Sequence, residues 1–227
     1  MRILFVRHGH PNYEKNCLTE LGHRQAAAAA PRLQMESIQE IYSSPFGRAV
    51  ETAEHTAKVL GLDVKILEFM HEITWGEPGK EPFKSGHPWS IAEEMVKNGD
   101  DLLRPDWKEN TPFRDNLLIA HCDWLNKELD KWLVTMGYTR EGNAYRVGKN
   151  TDRTIAVFSH GGSSVSAIAH MMNLTIPFVS YVLQPDYTSV MELILSDEEG
   201  SLTSPRFGLM HDAKHIDHLK VETVFGN

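Results

Sequence analysis

Residues 3–9 near the start of the chain read Ile-Leu-Phe-Val-Arg-His-Gly, and this stretch decides the class of fold. The four apolar residues form the kind of continuous run that is typical of a strand buried on both faces of a sheet. Gly9 and Pro11 break the strand, so His8 lies at its carboxyl end. Ligands bind at that end of the strands in open α/β sheets, which makes His8 a candidate functional residue.

A second stretch of the same kind occupies residues 154–162, Thr-Ile-Ala-Val-Phe-Ser-His-Gly-Gly. It again places a histidine, His160, directly after a buried-strand run and before glycine. A glycine in this position lets the backbone approach a ligand closely. Two strand ends therefore each present a histidine.

The hydrophobic pattern between and after these stretches alternates helices with strands, which predicts an α/β fold with a late antiparallel addition. Thr19 is the expected N-cap of the first helix, and Pro31 is expected to kink that helix or end it early. Ser44 and Pro45 are the expected N-cap and first residue of the second helix. The predicted helices span 19–35, 44–60, 115–135 and 161–172, the predicted strands 3–6, 40–43, 64–67, 154–158, 188–195 and 205–210, and a predicted hairpin 138–147.

Residues 76–114 differ from the rest of the chain, because glycine, proline, lysine and glutamate dominate there. A segment this long without clear periodicity is typical of a functional insertion such as a lid. The remainder fits a single domain over residues 1–227, with this insert covering the site.

Composition narrows the function classes. The 227 residues are 41 % hydrophobic and 24 % charged, as in ordinary globular proteins. A net charge of −8 argues against nucleic-acid or membrane-surface partners. No apolar run is long enough to span a membrane, and Arg7 and His8 interrupt the first one too early for a signal peptide. Two cysteines make no disulfide framework, so we expect a cytoplasmic protein.

A local cationic pocket is nevertheless predicted. Arg7 lies beside the first histidine, and Arg48 lies in the first turn of the second predicted helix. A helix N-terminus and an arginine fork both suit phosphate oxygens. Together with His8 and His160 they form the pattern expected of a phosphate monoester site.

Five motifs in order resemble those of the histidine phosphatase (phosphoglycerate mutase-like) superfamily. They are residues 5–9 (Phe-Val-Arg-His-Gly), 18–26 (Leu-Thr-x-x-Gly-x-x-Gln-Ala), 43–53 (Ser-Ser-Pro-x-x-Arg-Ala-x-x-Thr-Ala), 72–76 (Glu-x-x-x-Gly) and 158–162 (Phe-Ser-His-Gly-Gly). The resemblance implies a three-layer α/β/α fold with a mostly parallel central sheet. It also implies a phosphatase that needs no metal or cofactor.

The same resemblance assigns roles to residues. His8 is the implied nucleophile, which forms a phosphohistidine. Arg7, Arg48 and His160 are implied to bind the phosphoryl oxygens, with Gly161 beside them, and Glu72 is implied to protonate the leaving alcohol.

Some positions depart from the pattern. Pro11 and Glu14 stand where the family often has threonine and asparagine, and Asn12 is the candidate replacement. Glu77 is the rival of Glu72 as the acid, and His121 is expected to be a packing residue.

The sequence favours a phosphomonoester hydrolase that acts on a small phosphorylated metabolite. The insert lacks the paired arginines before Ser-Tyr that the mutases of the family carry, yet a mutase-type phosphotransferase remains an alternative. So do a non-catalytic phosphate-binding module and a metal-dependent hydrolase that uses His8 and His10. Five aromatic residues in and beside the insert are expected to line the substrate pocket or to form a small core of their own: Trp75, Phe83, His87, Trp89 and Trp107. For Trp107 the small core is the favoured expectation.

Overall fold

The structure is a computed structural model that describes residues 1–109, 113–149 and 151–221. Its strands are β1 (Arg2–Arg7), β2 (Pro11–Asn12), β3 (Cys17–Leu18), β4 (Glu40–Ser43), β5 (Val64–Ile66), β6 (Tyr138–Glu141), β7 (Ala144–Val147), β8 (Thr154–Ser159), β9 (Val190–Ile194), β10 (Leu202–Thr203) and β11 (Arg206–Asp212). Its α-helices are α1 (Glu20–Gln34), α2 (Gly47–Leu60), α3 (Pro88–Asn98), α4 (Leu118–Thr135), α5 (Gly161–Met172) and α6 (Ile176–Val182). Short 3-10 helices cover Glu68–Met70 and Lys214–Leu219.

The central sheet has the strand order β11-β9-β1-β8-β4-β5. Strands β1, β8, β4 and β5 are parallel to one another, whereas β9 is antiparallel to β1 and β11 is antiparallel to β9. The predicted α/β class and its mostly parallel sheet are confirmed. The predicted hairpin forms as β6 and β7, and β10 joins it in a small separate sheet.

Helices cover both faces of the central sheet, because both faces of its inner strands are apolar. On β1, Ile3 and Phe5 pack in the core that contains residues of α4 and α5, and Leu4 and Val6 pack in the core that contains residues of α1 and α2. Alternate side chains of a strand point to opposite faces, so one apolar run supplies both cores. This arrangement is the expected three-layer α/β/α fold.

The expectation that Pro31 ends the helix early is wrong, because α1 continues past it to Gln34. Proline at this position removes the hydrogen bond to the carbonyl group of Ala27. Both residues are exposed, so water can solvate that carbonyl group. Thr19 is the N-cap of α1 as expected, and its side chain accepts a hydrogen bond from the backbone N–H of Gly22.

The expected start of the second helix is also wrong. Helix α2 begins at Gly47 with Phe46 as its N-cap, two residues later than the Ser44-Pro45 pattern indicates. The hydroxyl group of Ser44 lies 2.8 Å from Nε2 of His160, so this serine belongs to the site instead.

The insert is not a plain loop, although residues 110–112 of the predicted 76–114 segment lie outside the described residues. Helix α3 occupies its centre, and Trp89, Ile91 and Met95 on this helix are buried in the core. Pro88 starts the helix and Gly99 ends it in a left-handed conformation. Within the described parts of the chain, no helix is long and apolar enough to cross a membrane.

Candidate active site

The central sheet brings the two histidines together. Strand β1 lies beside β8 in parallel register, with Arg7 opposite Ser159, so the residues that follow both strands share one edge of the sheet. The ring centroids of His8 and His160 are 5.1 Å apart. Both side chains are at most 1 % exposed.

Hydrogen bonds fix the tautomer of His8. Its Nδ1 lies 2.7 Å from the carbonyl oxygen of Gly9, which can only accept, so Nδ1 carries the proton. Nε2 is therefore unprotonated and acts as an acceptor, and Nε of Arg48 donates a hydrogen bond to it over 3.4 Å. Burial, followed by the charges of Arg7 and Arg48, holds the pKa of His8 well below its ordinary range. The imidazole is consequently neutral at pH 7, with an unprotonated Nε2.

Two buried arginines belong to the site. Nη1 of Arg7 donates to the carbonyl oxygen of Pro185 over 2.6 Å, and its guanidinium lies 4.3 Å from the ring centroid of Tyr187. Arg48 is 6 % exposed, and burial lowers its pKa. Two buried guanidinium groups next to a neutral imidazole make a strongly attractive site for a dianion.

Asn16, which sequence reasoning missed, is the amide that contacts Arg48. Its Oδ1 accepts a hydrogen bond from Nη1 of Arg48 over 2.7 Å. Asn16 has a positive φ of 50°, a conformation that asparagine tolerates well. An asparagine in this loop, as a residue that favours such a turn, was the signal that the sequence offered. The candidate Asn12 lies elsewhere in the same loop, where its Oδ1 accepts from the backbone N–H of Lys15 over 3.1 Å.

Tyr187 is a second residue that sequence reasoning missed. Besides covering Arg7, its ring lies 5.9 Å from that of His8 and 5.4 Å from that of His10. The next residue, Thr188, has a positive φ of 57°, and its backbone N–H donates to the carbonyl oxygen of Arg7. The tight turn thus holds the tyrosine against the site.

His160 occupies the N-cap position of α5. Its Nε2 lies 2.8 Å from the hydroxyl group of Ser44, and that oxygen also accepts the backbone N–H of Phe46. Burial, with the charge of Arg48 acting in the same direction, holds the pKa of His160 well below its ordinary range. The helix N-terminus behind it favours negative charge at this place.

The side chain of Glu72 reaches the start of the same helix. Its Oε1 accepts two backbone hydrogen bonds, from Ile73 over 2.9 Å and from Ser163 over 3.1 Å. Burial raises the pKa of Glu72, against the opposing effects of Arg48, these two N–H groups and Arg7. Because Oε1 is occupied, the proton of a neutral Glu72 resides on Oε2, which is the oxygen that can donate.

Gly162 makes room for this carboxyl group. A Cβ atom at this position would lie 2.5 Å from Oε1 of Glu72 and 2.4 Å from Cγ1 of Ile73. A Cβ atom at the neighbouring Gly161 would meet nothing closer than 3.7 Å. The second glycine of the pair is therefore required by the position of Glu72.

Gly162→Ala is expected to displace Glu72 and to lower kcat on alkyl phosphates about 10²-fold, because small misplacements of an acid are costly. Overpacking of this kind also lowers the free energy of unfolding by about 1–3 kcal/mol. Steady-state kinetics and urea unfolding of Gly162→Ala beside Gly161→Ala measure both effects. Equal losses in the two variants would show that the contact with Glu72 is unimportant.

The remaining predicted residues take other places. Nδ1 of His10 lies 2.9 Å from the hydroxyl group of Thr19, which directs this ring toward the N-terminus of α1. Glu77 is exposed and pairs with Lys80 over 2.5 Å. Nδ1 of His121 accepts the backbone N–H of Thr74 over 3.0 Å.

Of the insert aromatics, Trp89 approaches the site most directly. Gly161 lies close to both the ring of Trp89 and Arg7. A Cβ atom at this position would be 3.7 Å from the ring of Trp89 and 3.9 Å from Nε of Arg7. His87 packs between Trp75 and Trp89, with ring centroids 4.8 and 5.3 Å away, and burial, with Arg7, lowers the pKa of His87 to about 4.

Of the other two insert aromatics, Phe83 packs edge-on against Trp75, with ring centroids 4.6 Å apart. Phe83 is 45 % exposed, and Trp107 is buried in the main core against Phe113.

Comparison with known protein families gives a match over residues 3–102 to the histidine phosphatase superfamily (branch 1). That range holds four of the five motifs and ends before the second histidine.

Relatives of known name include both mutases and phosphatases. A 2,3-bisphosphoglycerate-dependent phosphoglycerate mutase of Thermoplasma acidophilum is 29 % identical over 150 residues, 57 % of this chain and 75 % of that one. A putative phosphoserine phosphatase 2 of Hydrogenobacter thermophilus is 31 % identical over 101 residues, 40 % of this chain and 47 % of that one.

Solved structures share the fold along nearly the whole chain. Phosphoserine phosphatase of Entamoeba histolytica in complex with 3-phosphoglyceric acid has a TM-score of 0.62 and 19 % identity, and covers 95 % of this chain and 98 % of its own. A mycobacterial glucosyl-3-phosphoglycerate phosphatase has a TM-score of 0.61 and 21 % identity, over 92 % and 97 % of the two chains.

Proposed function

We propose that this chain, which belongs to the histidine phosphatase superfamily, hydrolyses phosphate monoesters of small metabolites through a phosphohistidine on His8. The observation that carries the proposal is the state of that imidazole. Its Nδ1 proton is held by the carbonyl group of Gly9, and its unprotonated Nε2 accepts a hydrogen bond from the buried Arg48.

In the first step, Nε2 of His8 attacks phosphorus while the bond from phosphorus to the ester oxygen breaks. Arg7, Arg48 and His160 stabilise the charge on the three equatorial oxygens. Oε2 of Glu72 gives its proton to the departing oxygen, which leaves as a neutral alcohol. The products of this step are a phosphohistidine and a carboxylate on Glu72.

In the second step, water takes the place of the alcohol. The carboxylate of Glu72 accepts a proton from the water as its oxygen bonds to phosphorus. The bond from phosphorus to Nε2 breaks and inorganic phosphate is released. Glu72 is protonated again, so the cycle balances with one water consumed for each ester.

The comparisons support a small phosphorylated metabolite as substrate. Relatives and structural neighbours carry the names phosphoserine phosphatase and glucosyl-3-phosphoglycerate phosphatase. Two buried arginines, Arg7 and Arg48, give this acidic protein a positively charged site, in keeping with a compact anionic ligand. Both cysteines, Cys17 and Cys122, are free thiols, in keeping with a cytoplasmic setting.

Phosphotransfer of the mutase type is the second candidate, because two of the relatives are named as phosphoglycerate mutases. It needs the same phosphohistidine but returns the phosphoryl group to a substrate hydroxyl instead of water. A screen of phosphorylated metabolites for phosphate release, run beside an assay for conversion of 3-phosphoglycerate to 2-phosphoglycerate, separates the two. Phosphate release without isomerisation supports hydrolysis. Isomerisation without phosphate release would show that the protein is a mutase instead.

Arg48→Lys is expected to lower kcat/KM about 10²-fold although it preserves the charge. Lysine cannot reproduce the planar donor set that contacts both His8 and Asn16 here. Both KM and kcat should worsen, because the contact exists before and during transfer. Steady-state kinetics measure the change, with Arg24→Lys on the exposed face of α1 as control. Kinetics close to those of the wild type would remove Arg48 from the site.

A further inference from the structure

A row of aromatic rings runs outward from the phosphate site. The ring of Phe46 lies 5.3 Å from that of His160, and His71 stacks on Phe46 at 5.7 Å with an interplanar angle of 24°. Beyond His71 the row reaches His121 at 4.7 Å and Trp124 at 5.4 Å. We name Phe46, His71, His121 and Trp124 the aromatic track. Trp124 is 40 % exposed, so the track extends from the buried site to the protein surface.

The track adjoins the segment that carries Glu72. His71 directly precedes Glu72, the proposed acid, and an acid must face the oxygen that departs. His121 accepts the backbone N–H of Thr74, so helix α4 anchors the segment that carries Glu72. With Glu72 as the acid, a leaving group that faces its carboxyl group lies beside the segment that holds His71.

The track suits a flat group. Phe46 and Trp124 carry no charge, and burial lowers the pKa of His121 to about 4, so that ring is neutral at pH 7. The guanidinium of Arg48 lies 4.9 Å from the ring centroid of Phe46, at the phosphate end. Aromatic rings prefer other rings in stacked or edge-on contact, beyond the effect of buried area.

We propose that the leaving group of the substrate carries a flat aromatic ring, which lies against Phe46 and His71 and extends toward Trp124. The preferred substrates are then phosphate esters of aryl- or heteroaryl-bearing alcohols, and not esters whose leaving group is a small charged amino acid or glycerate. This assignment rests on the proposed function for the direction in which the leaving group points.

Binding of phosphonates, which cannot be hydrolysed, tests the inference without turnover. Calorimetry is run with 2-phenylethylphosphonate, 2-cyclohexylethylphosphonate and 2-amino-4-phosphonobutanoate, which imitate esters with aromatic, saturated and amino-acid leaving groups. The phenyl compound is expected to bind about two- to tenfold more tightly than the cyclohexyl compound, and more tightly than the amino acid. Phosphate release from the matching esters, measured separately, reports on the proposed function.

Two variants locate the preference. His71→Leu is expected to abolish the advantage of the phenyl compound over the cyclohexyl compound, and Trp124→Leu to reduce it. Tyr181→Leu is the control, because Tyr181 on α6 is also 40 % exposed but lies outside the track. Tighter binding of the amino acid, or a phenyl preference that survives both track variants, overturns the inference even if every ester is hydrolysed.

Discussion

His8→Ala is expected to lower turnover of any phosphate ester by about 10⁴-fold or more, since loss of a covalent nucleophile removes the whole reaction path. The neighbouring rings cannot replace it. Nε2 of His160 is engaged by Ser44, and Nδ1 of His10 by Thr19. Phosphate release by the purified variant, beside an unfolding curve to verify its stability, measures the effect.

His10→Asn is the matched control for that experiment. It changes the other histidine of the same loop, and it should leave most activity because His10 contacts the N-cap of α1 instead of the phosphate site. If His10→Asn were as inactive as His8→Ala, the assignment of the nucleophile would have to be reconsidered.

Glu72→Gln is expected to slow phosphoenzyme formation from alkyl phosphates by about 10²- to 10⁴-fold. The alcohol of such an ester departs only when its oxygen is protonated, whereas nitrophenolate leaves without a proton. The burst of nitrophenyl phosphate should therefore be far less affected. Rapid-quench measurement of the first turnover isolates this step, because the same residue would also activate water in the second one.

Glu77→Gln serves as the control for the acid. Glu77 is exposed and ion-paired with Lys80, so its loss should leave both bursts intact. Equal losses of the two bursts in Glu72→Gln would mean that this carboxyl group binds substrate or supports the loop, and does not transfer a proton.

The strands and the main elements of the site were readable from sequence because their signals are local. The run before His8 is apolar on both faces, and a strand of this kind must lie inside the sheet. The same holds for the run before His160. That β1 and β8 are neighbours, however, depends on the order of strands, which no local pattern gives.

The residues that sequence reasoning missed are placed by turns. Asn16 and Thr188 both have positive φ, although neither residue is glycine, and each fixes a contact to a phosphate-site arginine. Propensity alone does not reveal such conformations, because tertiary contacts impose them. Asn12 and Asn16 show this limit within one loop, because Asn12 was the candidate amide and Asn16 is the one that contacts Arg48.

The predicted start of α2 was wrong because a tertiary contact again overrides the local pattern. Pro45 is a common first residue of a helix, but Ser44 contacts His160 and so α2 starts only at Gly47. Helix α3 was missed because its eleven residues stand in a segment rich in glycine and charge. Burial of Trp89 and Met95 in the main core stabilises it there.

The central claim is that a phosphoryl group is carried on Nε2 of His8 during turnover. The direct measurement is rapid quench of the wild-type protein with labelled phosphate ester under alkaline conditions, which preserve phosphohistidine, followed by mass spectrometry of the peptides. We predict a phosphorylated peptide that contains residues 7–9, with the label on His8 and absent from His8→Ala. Phosphate release without any labelled protein, or a label on His160 or His10, would contradict the account.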